Sequence, residues 1–204
     1  MPLKQKLLDK IDYLDPISKK TKSINTILKK NDKLYGYNTD YYALSRLLKE
    51  NKLSKTNTKI LILGNGGVAK TSYELIKDLK FKNINLSSRN FKRYDDWKIN
   101  KKIKIFKWKN RNKIDANVLI NATPIGMSKA TKEKSPVSIS LIKKLDTIID
   151  FTINKKVNTL EKNSKKLEKK YLSGKILSFY QGVKQFSIYT NKKVDEKKLI
   201  KIIK

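Results

Sequence analysis

Residues 64–69 read Gly64-Asn65-Gly66-Gly67-Val68-Ala69 and fit the spacing G-x-G-x-x-G/A. The apolar run KILILG leads into them and a helix-compatible stretch follows, so the motif stands between a strand and a helix. In that place Gly64 permits a tight turn and Gly66 lets the backbone approach a pyrophosphate. The N–H groups that open the next helix, with their partial positive charge, suit phosphate oxygens. The same glycines could also make a bare strand-to-helix turn; the setting favours dinucleotide binding. The kind of dinucleotide is decided where the second strand ends, because an NAD-binding chain usually carries Asp or Glu there for the ribose hydroxyls. Here the residues are Ser87-Ser88-Arg89-Asn90-Phe91-Lys92-Arg93. An acid would repel a 2′-phosphate, whereas Arg89 and Arg93 would bind it, with Ser88 and Asn90 beside them. Arg46 and Arg111 are the other two arginines, in a chain that otherwise uses lysine for positive charge. The expected cofactor is NADP.

The rest of the chemistry is narrowed by what is missing. The chain has no cysteine and no histidine, which removes disulfides, thiolate nucleophiles and the commonest general base and zinc ligand. Acid–base work falls to Lys, Asp, Glu or Tyr, and no metal site is expected.

The elements that must position these residues follow from periodicity. Leu3, Leu7, Leu8, Ile11 and Leu14 recur at helical spacing and predict a first helix that Pro16 ends. SINTILKK and KLYGYNTD read as a hairpin about Asn31-Asp32. Asp40 is placed to cap the next helix, whose apolar face is Leu44, Leu47 and Leu48. Residues 51–59 read as a linker. Strands then alternate with helices: KILILG, a helix over 72–79, NINLSS, VLINATP and TIIDFT. That alternation predicts a parallel sheet covered by helices. Residues 160–170 read as a charged, exposed helix. Ile176, Leu177, Tyr180, Val183 and Phe186 mark an amphipathic one, and a short helix over 196–203 ends the chain.

The 204 residues carry a formal net charge of +31, which raises the question of nucleic acid. The lysines are spread along the whole chain and form no stripe, and the arginine fork that reads base edges is scarce. Nucleic acid is not an expected partner. No apolar run reaches the roughly 20 residues of a membrane span, and the N-terminus lacks a signal-peptide core. A cytoplasmic protein is expected.

The stretches GYNTD, LGNGGVAK, SSRN, INATPIGM and FYQGVKQF, in this order, resemble the shikimate dehydrogenase family over nearly the whole chain. The resemblance implies an α/β fold: a Rossmann-like NADP-binding domain with a parallel sheet over 51–170, and an incomplete α/β substrate domain. The latter would comprise 1–50, completed by C-terminal helices over 171–204. It implies NADP-dependent reduction of 3-dehydroshikimate to shikimate, with hydride delivered to C3 and a Lys–Asp pair assisting proton transfer. Lys4 and Asp40 match that pair, and Asn25 and Gln181 match residues that bind the substrate hydroxyls. Asn121, Thr123 and Pro124 match the loop beside the nicotinamide, with Phe151 and Gly174 as further cofactor-side positions. Three departures accompany it. The family's early Ser-x-Ser stretch, which binds the substrate carboxylate, would lie upstream of Met1. Ile153 and Lys155 stand where a Tyr and a Pro are common, and Leu177-Ser178 replaces a Met-Leu pair. One expectation is an N-terminally shortened enzyme, with a complementing chain or a homodimer as its candidate partner; the alternative is a non-catalytic NADP-binding remnant or subunit that needs a partner chain.

Overall fold

The computed structural model describes residues 7–97, 99, 103–128, 131, 133–154 and 156–203. In chain order the elements are β1 (Tyr13–Leu14), α1 (Pro16–Thr21), β2 (Thr26–Lys30), β3 (Lys33–Tyr37), α2 (Thr39–Asn51), β4 (Lys59–Leu63) and α3 (Gly67–Asp78). They continue with β5 (Asn83–Ser88), β6 (Lys104–Lys107), β7 (Val118–Asn121), α4 (Ile139–Lys144), β8 (Thr147–Asp150), α5 (Thr159–Lys166), β9 (Lys170–Leu172), α6 (Gly174–Thr190) and α7 (Glu196–Ile203). Short 3-10 segments lie at Leu8–Lys10, Phe91–Trp97 and Trp108–Lys113. The chain divides into two compact units: one runs to Lys52 and resumes at Lys175, the other is Leu53–Gly174.

The larger unit is a six-stranded sheet in the order β6-β5-β4-β7-β8-β9, every pair parallel. Renumbered from β4, that order is 3-2-1-4-5-6, the doubly wound arrangement whose strand order reverses between its first and fourth strands. The strands KILIL, VLIN and TIID are near-continuous apolar runs because both faces of a parallel sheet are covered. Successive side chains point to opposite faces. Leu61 and Leu63 join Leu119, Ile148, Leu141, Ile142, Leu145 and Leu160 in one buried cluster, while Ile60 and Ile62, also buried, take the other face.

The smaller unit holds a three-stranded sheet, β1-β3-β2. β2 and β3 form the expected hairpin, with Lys30 opposite Lys33. Asn31 and Asp32 both have positive φ, as a type I′ connection requires. The predicted first helix is not what the described residues contain. Leu8–Lys10 is a single 3-10 turn, Tyr13 and Leu14 pair in parallel with Tyr35 and Gly36, and Pro16 opens a helix instead of ending one. Proline loses nothing at the first helical position, and Asp15 caps the turn by accepting from Ser18 N at 2.8 Å. Strand pairing here outweighs helical spacing.

The reading of 160–170 is also corrected. The helix stops at Lys166 and buries Leu160 and Ser164. Glu168 turns the chain with φ of 53°, and the chain then enters β9, which pairs with β8. α3 starts at Gly67, five residues before the predicted start, with Gly66 as its N-cap. This brings the whole glycine motif into the helix entry.

Candidate functional site

In the larger unit, the glycine loop leaves the carboxyl end of β4 and the Asn121–Pro124 loop leaves that of β7, on the two strands that flank the reversal. Open α/β sheets bind ligands in the crevice at this point. Gly64 sits at φ of +109°, and a Cβ there would lie 2.8 Å from the carbonyl oxygen of Ala122, so the two loops touch and only glycine fits. Gly66, by contrast, has nothing within 4 Å of a built Cβ. No side chain caps the N-terminus of α3, which leaves the first-turn amides, those of Gly67 and Val68 among them, without intrahelical partners. An open approach onto uncapped amides fits a pyrophosphate.

At the end of β5, Ser88 is buried while Arg89, Asn90 and Arg93 are exposed. Among the described residues no ion pair is formed by either arginine. Asn65 Nδ2 donates to the carbonyl of Asn90 and Tyr94 Oη donates to the carbonyl of Gly64 at 2.8 Å. Burial pushes the Tyr94 phenol up to about 12.

On the β7 side, Asn121 Oδ1 accepts from Thr123 N at 3.2 Å and from Thr123 Oγ1 at 2.7 Å, folding the loop back on itself. Pro124 is exposed at the tip. Asn121 Nδ2 donates to Asp150 Oδ1 at 2.9 Å. Asp150, fully buried at the end of β8, collects four more donors: Thr152 N at 3.0 Å, Thr152 Oγ1 at 2.8 Å, Asn158 Nδ2 at 3.1 Å and Tyr171 Oη at 2.7 Å. Burial and the Asp150 carboxylate both push the Tyr171 phenol well above the ordinary tyrosine range. Phe151, next along, is half-buried and donates its N–H to the Asn121 carbonyl at 3.1 Å. Gly174 closes the knot, because a Cβ there would overlap the carbonyl oxygen of Thr152 and lie 3.1 Å from that of Asp150. Sequence reasoning missed Asp150, Asn158 and Tyr171. An acid at the end of an apolar strand was the one visible signal.

In the smaller unit, three residues far apart in sequence meet at one carboxylate. Asp40 is 1% exposed, and its Oδ1 accepts from Asn25 Nδ2 at 3.0 Å and from Gln181 Nε2 at 2.5 Å. Asp40 was expected to cap α2. It does not: Asn38 is the N-cap and accepts from Asp40 N at 3.2 Å. With the cap supplied two residues earlier, the Asp40 carboxylate lies inside the first turn and is released for other partners. Asn25 is held by its own oxygen, which accepts from Thr39 N at 2.9 Å and Thr39 Oγ1 at 3.0 Å. That fixes the amide so that its nitrogen faces Asp40. α6 is anchored by Tyr180, whose Oη donates to Glu50 at 2.7 Å, and by Gln185, which donates to Thr26 Oγ1 at 3.1 Å. The residue between these anchors that meets Asp40 is Gln181. Lys4 and Lys155 lie outside the described residues. Ile153 is exposed.

A doubly wound parallel sheet with an open glycine cradle at its reversal fits a dinucleotide-binding protein. Comparison with known proteins narrows the class. The chain is 31% identical over 197 residues to the NADP-dependent shikimate dehydrogenase of Clostridium beijerinckii, covering 97% of this chain and 72% of that protein. It is 33% identical over 201 residues to that of Clostridium perfringens, covering 96% and 72%. The crystal structure of shikimate dehydrogenase 1 from Peptoclostridium difficile superposes with a TM-score of 0.85 at 28% identity, covering 99% of this chain and 73% of that one. No family model matches. The chain belongs to the shikimate dehydrogenase (NADP) family.

Proposed function

We propose that the chain binds NADP(H) at the reversal of its parallel sheet and reduces 3-dehydroshikimate to shikimate. What carries the reading is the convergence of Asn25 and Gln181 on the buried Asp40 carboxylate, since these three are the residues that the family resemblance implies for substrate handling. NADPH, when bound, supplies the hydride that reduces the C3 ketone. Gly64, Asn65, Gly66, Gly67 and Val68 hold its pyrophosphate, Ser88, Arg89, Asn90 and Arg93 hold its 2′-phosphate, and Asn121, Thr123, Pro124, Phe151 and Gly174 shape the nicotinamide side.

The new alkoxide needs one proton. In a chain without histidine, a Lys–Asp pair supplies it as general acid, Lys4 donating and Asp40 orienting the lysine and stabilising its charge. The amides of Asn25 and Gln181 hold the Asp40 carboxylate with hydrogen bonds to charged oxygen, worth about 1.5–3 kcal/mol each, and present their remaining N–H groups, with the Gln181 oxygen, to the substrate hydroxyls.

The test is NADPH consumption on addition of 3-dehydroshikimate, for the wild type and for Lys4→Ala and Asp40→Asn. The expected result is wild-type turnover and a loss of about 10²–10⁴-fold in each variant, with NADPH affinity retained. Binding of NADPH without any turnover in the wild type would instead support the second reading, a cofactor-binding chain without catalysis.

A further inference from the structure

We propose that Tyr94 is a specificity-determining positioning residue: by tying the arginine turn to the glycine loop, it sets the preference for a dinucleotide bearing a 2′-phosphate. The inference rests on the reading of Arg89 and Arg93 as the 2′-phosphate ligands.

Both arginines are exposed, Arg89 on the turn after β5 and Arg93 in the 3-10 segment that continues it, and a long side chain on a loose backbone finds an anion only at an entropic cost. Two hydrogen bonds fasten this turn. Tyr94, 2% exposed, donates to the carbonyl of Gly64 at 2.8 Å, the residue whose left-handed backbone and contact with Ala122 fix the start of the phosphate cradle. Asn65 donates to the carbonyl of Asn90, which lies between the two arginines. The Tyr94 ring meets Trp97 edge-on at 4.8 Å and 88°, and Trp97 lies 5.8 Å from Tyr73 of α3. The turn is thereby pinned to the same helix whose N-terminus faces the pyrophosphate. The Tyr94 hydroxyl is spent on Gly64 and the ring is buried, so Tyr94 acts through the backbone it fastens and not by touching the ligand. NADH uses the glycine cradle but has no phosphate for the arginines. Loosening the turn therefore costs NADPH selectively.

Tyr94→Phe removes the tie and keeps the ring packing. Dissociation constants for NADPH and NADH are measured by fluorescence titration for wild type, Tyr94→Phe, Arg89→Ala and the double variant Tyr94→Phe/Arg89→Ala. The inference expects Tyr94→Phe to weaken NADPH about tenfold and NADH less than about twofold. In the Arg89→Ala background, Tyr94→Phe should change NADPH affinity by less than about twofold, because both act through one contact. Equal weakening of both cofactors, or independent multiplication of the two effects, overturns the Tyr94 inference while leaving the arginine reading standing. Absence of an NADPH preference in the wild type, or its survival in Arg89→Ala, overturns the arginine reading and the inference with it.

Discussion

Replacing Asp150 with alanine is expected to be among the most damaging single changes in the larger unit. The carboxylate is fully buried and serves five donors: Asn121 Nδ2 and Thr152 N on Oδ1, and Thr152 Oγ1, Asn158 Nδ2 and Tyr171 Oη on Oδ2. A buried donor left without an acceptor costs about 1–3 kcal/mol, so five would cost about 5–15 kcal/mol if none found a new partner. The hydroxyls of Thr152 and Tyr171 can rotate toward other acceptors, and a water can occupy the polar space the carboxylate vacates. About 4–6 kcal/mol should remain, a large part of the roughly 5–15 kcal/mol that holds a typical domain folded. Asp150→Asn keeps one acceptor oxygen and turns N–H groups toward donors; its cost should be smaller, about 2–4 kcal/mol. Both tryptophans, Trp97 and Trp108, belong to the Leu53–Gly174 unit, so urea unfolding followed by tryptophan fluorescence reports on that unit by itself. A loss below about 1 kcal/mol for Asp150→Ala, or equal losses for the two variants, would refute the assignment of Asp150 as the shared acceptor.

Further outcomes follow from the same geometry. Arg89→Ala should lower the NADPH-over-NADH preference by about 10-fold to 100-fold, the worth of a charge-assisted contact, as read by competitive titration. Gln181→Ala should raise KM for 3-dehydroshikimate more than it lowers kcat, by about tenfold, in steady-state assays, since it removes one hydroxyl partner and one of the amides holding Asp40. Gly174→Ala should destabilise the larger unit by about 1–3 kcal/mol or more in the same urea experiment, because the new Cβ overlaps backbone that cannot turn away. Folding raises the phenols of Tyr42 and Tyr94 from the ordinary 10 to about 12. The stability they contribute is therefore complete below pH 10 and lost as pH rises toward 12, and unfolding midpoints measured across that range should fall.

The motifs made the fold legible because a parallel sheet writes itself as apolar runs punctuated by glycine. KILILG-NGG and VLINATP mark the two strands that flank the crevice, and the resemblance to shikimate dehydrogenases drawn from GYNTD, LGNGGVAK, SSRN, INATPIGM and FYQGVKQF holds. Positions whose role depends on pairing across the fold were hidden. Leu14 carries helical spacing yet joins Tyr13 in a strand because β3 offers hydrogen bonds. Lys170 ends a charged stretch yet opens an edge strand, Lys170–Leu172, that pairs with β8. Asp40 could be picked out from NTD, but its release from capping could not, since Asn38 and Asp40 both have side chains able to cap and only the backbone turn decides between them. Asn25 and Gln181 are 156 positions apart and meet through α2 and α6. Nothing in periodicity links them. The Asp150 knot was missed for the same reason: its donors come from β7, the β8 end, the α5 cap and β9, and no local pattern joins these.

The central claim is that this chain moves a hydride from NADPH to the C3 carbonyl of 3-dehydroshikimate. The direct measurement is mass analysis of the product formed from 3-dehydroshikimate and NADPH deuterated at the transferable position of the nicotinamide. The account predicts shikimate carrying a single deuterium at C3, formed in step with NADPH consumption and suppressed in Asp40→Asn. Shikimate that carries no deuterium, or the absence of any shikimate while NADPH binds tightly, would contradict it.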